Sequence, residues 1–145
     1  MAFEVLVYQA EDCTSSKDCR RNSENEGYTG TGYMDYGGNG SWIEWNNVTI
    51  PKDGFYLLNF RYASASSDRS SDIIVNGTKV DELKFSKTGA WTEWRTDLTM
   101  ASLNKGNNTI RVMAGSRNGG PRLDRMEVGS TEDIAREMLQ ALKAL

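Results

Sequence analysis

Short apolar runs that alternate with period two, broken repeatedly by turn residues, constrain this 145-residue chain more than any other feature. In FYLLNFRY, Tyr56, Leu58, Phe60 and Tyr62 share one face, while Phe55, Leu57, Asn59 and Arg61 share the other. Trp94, Leu98 and Met100 fall on one face of TEWRTDLTM and are expected to point inward, with Trp94 in the core. In NTIRVMA the inward set is read as Ile110, Val112 and Ala114, and in RLDRMEV one face carries Asp124, Met126 and Val128. Adding FEVLVYQA, SWIEWNNVTI, SDIIVNG and KVDELKF predicts about eight strands at the spacing of an all-β sandwich. No helical stretch separates them, which excludes a parallel α/β sheet.

The turns have a physical reading. Pro51 presets φ and Gly54 supplies backbone freedom between two strands, and Asn76-Gly77 predicts a tight type I′ hairpin. Residues 131–145, TEDIAREMLQALKAL, are strong helix formers preceded by Ser130, which with Asp133 predicts a capping box. The chain therefore divides into a β module over residues 1–128 and a helical tail over 129–145. The apolar positions Ile134, Met138, Ala141 and Leu145, widened by Ala135, Leu139 and Leu142, leave several roles for that helix. It packs on its own domain, begins a neighbouring domain, or joins copies into a homo-oligomer.

Charge and composition remove several functions. Seventeen Lys and Arg against twenty Asp and Glu give a net charge of −3, without the basic stripe a nucleic-acid binder needs. With no histidine, His-dependent triads and His-ligated zinc are impossible. Carboxylate-only hydrolysis survives that test, with Asp35, Glu44 and Glu93 as its candidates, but nothing in the spacing pairs them as acid and base. No apolar run is long enough to span a membrane, and the opening MAFEVLVYQAED lacks the features of a signal peptide. Cys13 and Cys19 are within reach of a short disulfide loop, and two free thiols are equally compatible with their spacing. The N-x-S/T sequons at Asn39, Asn47, Asn76 and Asn107 arise readily in Asn-rich turns.

The order of YQAED (8–12), GYTGTGYMDY (27–36), PKDGFYLLNFRYA (51–63), SSDRSSDIIVNGTKV (66–80), FSKTGAWTEW (85–94), LNKGNNTIRV (103–112) and GGPRLDRMEV (119–128) resembles carbohydrate-binding module family 35, a relative of family 6. The resemblance implies a jelly-roll β-sandwich with a short C-terminal α-helix, a non-catalytic module of a secreted polysaccharide-degrading enzyme. It places a sugar platform at Trp91, faced by Tyr33. A pyranose offers an apolar face of axial C–H bonds and an equator of hydroxyls, so it needs an aromatic plane beneath and polar groups around it. The family position of Arg69 implies a guanidinium fork for a uronic acid carboxylate. The competing reading of Arg69 is a loop ion pair with Asp68 or Asp72.

This chain has GGPRLD where the family commonly has GPN-x-D, so Arg122 stands in the place of a sugar-binding Asn, with Asn118 just upstream. Arg only donates, which favours an acidic glycan or closes the usual pocket. Gln9, Glu11 and Asp124 occupy the positions of a structural Ca²⁺, and oxygen donors suit that ion. Some relatives hold a second Ca²⁺ at the ligand site, for which Asp35 and the NSENE run are the candidates here. The expected partner is a plant or algal cell-wall polysaccharide ending in a uronic sugar, with the catalytic domain of the parent enzyme alongside. The alternatives are a neutral glycan of galactose, mannan, xylan or dextran type, and an adhesion or assembly module.

Overall fold

The computed structural model describes residues 5–145, with the side chain of Ile134 excepted; Phe3 and Glu4 of the first expected strand lie outside them. Eleven strands form: β1 (Leu6–Gln9), β2 (Ser15–Lys17), β3 (Cys19–Asn22), β4 (Tyr33–Tyr36), β5 (Trp42–Ile50), β6 (Gly54–Ala63), β7 (Ser71–Val75), β8 (Thr78–Leu83), β9 (Arg95–Leu103), β10 (Gly106–Ala114) and β11 (Arg122–Ser130). A single helix, α1 (Thr131–Lys143), follows. The strands beyond the expected eight include β2 and β3, too short and polar for alternation to reveal. One sheet has the order β3-β4-β11-β6-β9, with β1 also paired to β11; the second has the order β2-β5-β10-β7-β8. All pairings are antiparallel, and the two sheets pack as a β-sandwich.

The core lies between the sheets. Ile110, Val112 and Ala114 of β10 are buried, as the alternation predicts, and of the two faces of β6 it is Tyr56, Leu58, Phe60 and Tyr62 that turn inward. Ile43, Trp45, Ile73 and Met126 complete the layer, each such side chain adding about 1.5–3 kcal/mol of burial free energy. Asn76 (φ 50°) and Gly77 (φ 84°) make the expected hairpin between β7 and β8.

The phase expected for β9 is wrong. Leu98 and Met100 are about half exposed, and Thr99, Ala101 and Leu103 point inward. Pairing with β6 decides this: Thr99 sits opposite Leu58 and Ala101 opposite Tyr56, so small residues back the large ones of β6. Leu98 and Met100 instead join Phe55 on the outer surface.

The expected alternation also fails at Asp124. The register of β11 against β6 shifts between Leu123 and Arg125, a bulge that adds one residue. Met126 and Val128 still face the core, while Asp124 leaves the apolar layer and is spent on polar partners. At this same point β11 changes neighbours, from β4 (Leu123 opposite Met34) to β1 (Arg125 opposite Gln9).

Ser130 caps α1, its Oγ accepting from the Asp133 N–H at 3.0 Å. Beyond its first turn the helix leaves Met138, Leu139 and Leu142 exposed. A cavity of about 270 Å³ lies between α1 and the sandwich, lined by Leu6, Tyr56, Val128, Asp133 and Arg136, at the end where β5 turns into β6. None of the sequence-predicted site residues borders it.

Cys13 and Cys19 are free thiols, half-buried against the core at the edge where β2 of one sheet passes into β3 of the other. Burial pushes the Cys19 thiol up to about 12 and raises Cys13 as well. Below pH 9 both folded and unfolded chains carry the neutral Cys19 thiol. Above it only the unfolded chain ionises, so this contribution to stability is lost as pH rises from about 9 toward 12. Urea midpoints of wild type should fall over that range more steeply than those of Cys19→Ser; equal slopes would sink the assignment.

Candidate functional site

Four connections meet at the end of the sandwich opposite α1: residues 23–32, 64–70, 84–94 and 115–121. Loop 84–94 is pinned to loop 64–70 by backbone: Thr88 N–H donates to Ser64 O (2.7 Å), Lys87 N–H to Asp68 Oδ1 (2.8 Å) and Arg69 N–H to Phe85 O (3.2 Å). Phe85 is fully buried and anchors the loop in the core. The Thr88 hydroxyl donates to Ala90 O (3.0 Å), which fixes the turn that presents Trp91.

Trp91 is part-exposed and carries two guanidinium groups, Arg69 at 5.0 Å and Arg122 at 4.1 Å from its ring centroid. Arg69 is half-buried. Its Nη1 donates to Gly120 O (3.2 Å) and its Nε makes a long contact to Ser67 Oγ (3.4 Å). The loop ion pairs considered for it do not form: Asp68 pairs with Lys84 (3.5 Å) and Asp72 with Lys79 (3.1 Å). Burial and the neighbouring Arg122 charge pull Arg69 below the usual guanidinium range, with Asp35 opposing them.

Arg122 enters from the first position of β11, directly opposite Asp35 of β4. A Cβ on Gly120 would lie 2.4 Å from the Tyr36 ring, so only glycine lets the segment before Pro121 and Arg122 approach so closely. The Arg122 side chain hydrogen-bonds Asn25 Oδ1, and its Nε lies 3.7 Å from Asp35 Oδ1. That Nε is buried and has no hydrogen-bond partner.

Tyr33 has no exposed face. Its ring is enclosed by Tyr28 (5.9 Å), Trp94 (5.4 Å) and the Arg122 guanidinium (5.9 Å), and its hydroxyl donates to Asn25 Oδ1 (2.7 Å). It stands behind the platform as a wall that sets Arg122 and Asn25. Trp94, expected in the core, belongs to this cluster: it is half-buried, its Nε1 donates to Glu26 O (2.8 Å), and Arg61 lies over its ring at 5.3 Å. Asn118 is exposed in loop 115–121, where its N–H donates to Ser116 Oγ (3.2 Å).

A second cluster lies at the β11 bulge. Glu11 sits in a 3₁₀ turn, Ala10–Asp12, rather than on the first strand with Gln9, yet both side chains converge on residues 29–31. Thr29 Oγ1 contacts Gln9 Oε1 (3.1 Å) and donates to Asp124 Oδ2 (2.9 Å). The Thr29 N–H donates to Asp124 Oδ1 (2.8 Å), and the Thr31 N–H to Glu11 Oε2 (2.8 Å). Arg61 Nη1 donates to Asp124 Oδ2 (2.8 Å) and to Gly27 O (2.7 Å). Glu11 Oε1 is buried with no partner, and a Cβ on Gly30 would strike Glu11 Oε2 at 2.3 Å. Gln9 and Glu11 thus meet at Gly30, where a side chain would collide with both, and the Thr29 hydroxyl links Gln9 to Asp124.

The sequence reading missed Tyr28, Thr29, Arg61 and Trp94, and offered Asn25 only within the NSENE run as a candidate for a second ion. Only Arg61 carried a signal, since alternation puts it on the outer face of β6 near the loops. The others are recruited by contacts across the chain, as Arg122 meets Asn25 from 97 positions away.

Comparison with known proteins gives the chain its family. The model of the carbohydrate binding module (family 6) matches residues 9–128. A family 35 carbohydrate binding module from Clostridium thermocellum is 40% identical, superposes with a TM-score of 0.84, and covers 88% of this chain and 99% of its own. The chain belongs to the family 6 and 35 carbohydrate-binding modules. Exo-beta-D-glucosaminidase of Amycolatopsis orientalis is 38% identical over 126 residues, which are 85% of this module and 12% of that enzyme. The chain therefore spans about an eighth of the length of that curated relative. A module described as Xyl-CBM35 in complex with a glucuronic acid-containing disaccharide is 26% identical, with a TM-score of 0.78 over 87% of this chain and 94% of its own.

Proposed function

We propose that this module holds a terminal uronic acid of a polysaccharide and keeps a secreted, polysaccharide-degrading catalytic domain at its substrate, without catalysing a reaction itself. The observation that carries the reading is the Trp91 ring with two guanidinium groups beside it, one of which, Arg69, has no carboxylate partner among the described residues. The indole supplies an apolar plane for the sugar's C–H face. Arg69 supplies a planar pair of donors that a carboxylate matches and a hydroxymethyl group does not. The glucuronic acid-containing ligand of the related family 35 module supports the same class. A single-sugar site of this kind binds weakly, with Kd on the order of 100 μM, because the ligand has few atoms to contribute.

Gln9, Glu11 and Asp124 fit a structural Ca²⁺. The donors are all oxygen, and the orphaned Glu11 Oε1 is the kind of buried acceptor that a hard cation satisfies. The ion would tie β1, β11 and loop 23–32 together where β11 exchanges partners, and would give Glu11 a cation partner, as Arg61 already gives Asp124. Asp35, a candidate ligand for a second ion, already faces Arg122 and accepts from Asn22 Nδ2 (3.3 Å).

Isothermal titration with glucuronic acid, an unsaturated digalacturonate, galactose and xylobiose, in calcium and then in EDTA, tests both readings. Saturable heat is expected from the acidic sugars, and the melting temperature should drop in EDTA for wild type but not for Glu11→Gln. Heat from neutral sugars alone would overturn the uronate assignment. A melting temperature indifferent to EDTA would overturn the calcium site.

A further inference from the structure

We propose that Arg122 is the selectivity gate of the sugar site: it occupies the Trp91 surface against neutral sugars and yields it to a carboxylate-bearing pyranose. This inference rests on the reading of Trp91 as a sugar platform and names what decides which sugars reach it.

The Arg122 guanidinium lies 4.1 Å from the Trp91 ring centroid, a cation–π stacking distance. A pyranose on that face competes with it for the same area. The side chain is held at three points, the ring, Asn25 Oδ1 and Asp35 Oδ1, and the last is a long contact of 3.7 Å. Its buried Nε finds no acceptor. Arg122 is therefore close-packed but incompletely bonded, and the deficit is specifically one of acceptors. Arg69 sits on the same indole, and among the described residues Asp35 is the carboxylate that offsets the two positive charges.

A neutral sugar that moves Arg122 off the ring forfeits its contacts and offers hydroxyls in return. A uronic acid brings an anionic acceptor to the group it moves, so the same displacement is compensated. Glucose and glucuronic acid share one ring and differ in the oxidation state of C6, so the gate acts on that difference alone. Selectivity then comes from what the site withholds as well as from what Arg69 offers.

The test is titration of wild type, R122N and D35N with glucose and with glucuronic acid, folding being checked by circular dichroism. In R122N, glucose affinity should rise about fivefold and glucuronic acid affinity fall about tenfold, so that the acid preference collapses by roughly 50-fold. D35N frees Arg122 from its one carboxylate and should tighten glucuronic acid about threefold while leaving glucose weak, which keeps the proposal exposed even if R122N does not fold. A parallel loss of both sugars in R122N, or an unchanged preference, would make Arg122 a packing residue only. A rise for both sugars would make it a plain obstruction. Wild type that binds no glucuronic acid, or binds it equally well in R69A, overturns the uronate reading itself and the gate with it. An intact R69A effect with no R122N effect overturns the gate alone.

Discussion

Replacing Arg61 with alanine is expected to destabilise the module by about 3 kcal/mol, a drop of about 10 °C in melting temperature. Asp124 is fully buried, and Arg61 is the only cation within salt-bridge distance of it among the described residues. Removing the guanidinium leaves a buried charge held by the Thr29 N–H and hydroxyl alone. Losing one partner of a buried pair typically costs about 3–5 kcal/mol, and those two remaining donors place this case at the lower end. The substitution also releases Gly27 O and uncovers Trp94, so the loop behind Tyr33 loosens as well. Urea denaturation in EDTA measures the effect without a competing cation. The double variant Arg61→Ala/Asp124→Asn should cost less than the sum of the two single changes. A single-variant loss below about 1 kcal/mol, the value of an exposed pair, would show that Asp124 is solvated after all.

The second large effect is in binding. Trp91→Ala is expected to weaken glucuronic acid by about 2 kcal/mol or more, roughly 30-fold, and to abolish any residual neutral-sugar binding. The platform serves every pyranose, so its loss discriminates against none. Arg69→Ala should weaken glucuronic acid by a similar or larger factor, since it removes one partner of a charge-assisted, partly desolvated pair. Its influence on a neutral sugar should be slight. Arg69→Lys should rescue only part of the loss, because an ammonium cannot present the planar fork. Measured by isothermal titration, equal losses of acidic and neutral sugars in Arg69→Ala would show that Arg69 orders the loop rather than reading the carboxylate.

Trp91 was singled out by the family resemblance together with the glycine-containing turn before it, and the structure places Arg69 over its ring. Tyr33, which the family resemblance sets facing Trp91, is instead fully covered, because Tyr28, Trp94 and Arg122 close on it from three separate segments. Trp94 was misread because both faces of β9 carry apolar residues. Alternation then identifies two faces and leaves open which of them is inside.

What the sequence determined by itself was the sandwich, its hairpin at Asn76-Gly77, the two alternating faces of β6, the inward face of β10, and the cap of α1. Each depends on residues close along the chain, where backbone preference and side-chain period act directly. The tertiary structure alone decided the phase of β9, the bulge that turns Asp124 to Arg61 and Thr29, and the pairing of Arg122 with Asn25. Those depend on register between strands and on contacts tens of residues apart. No local preference encodes them, because the energy that selects them exists only once both partners are in place.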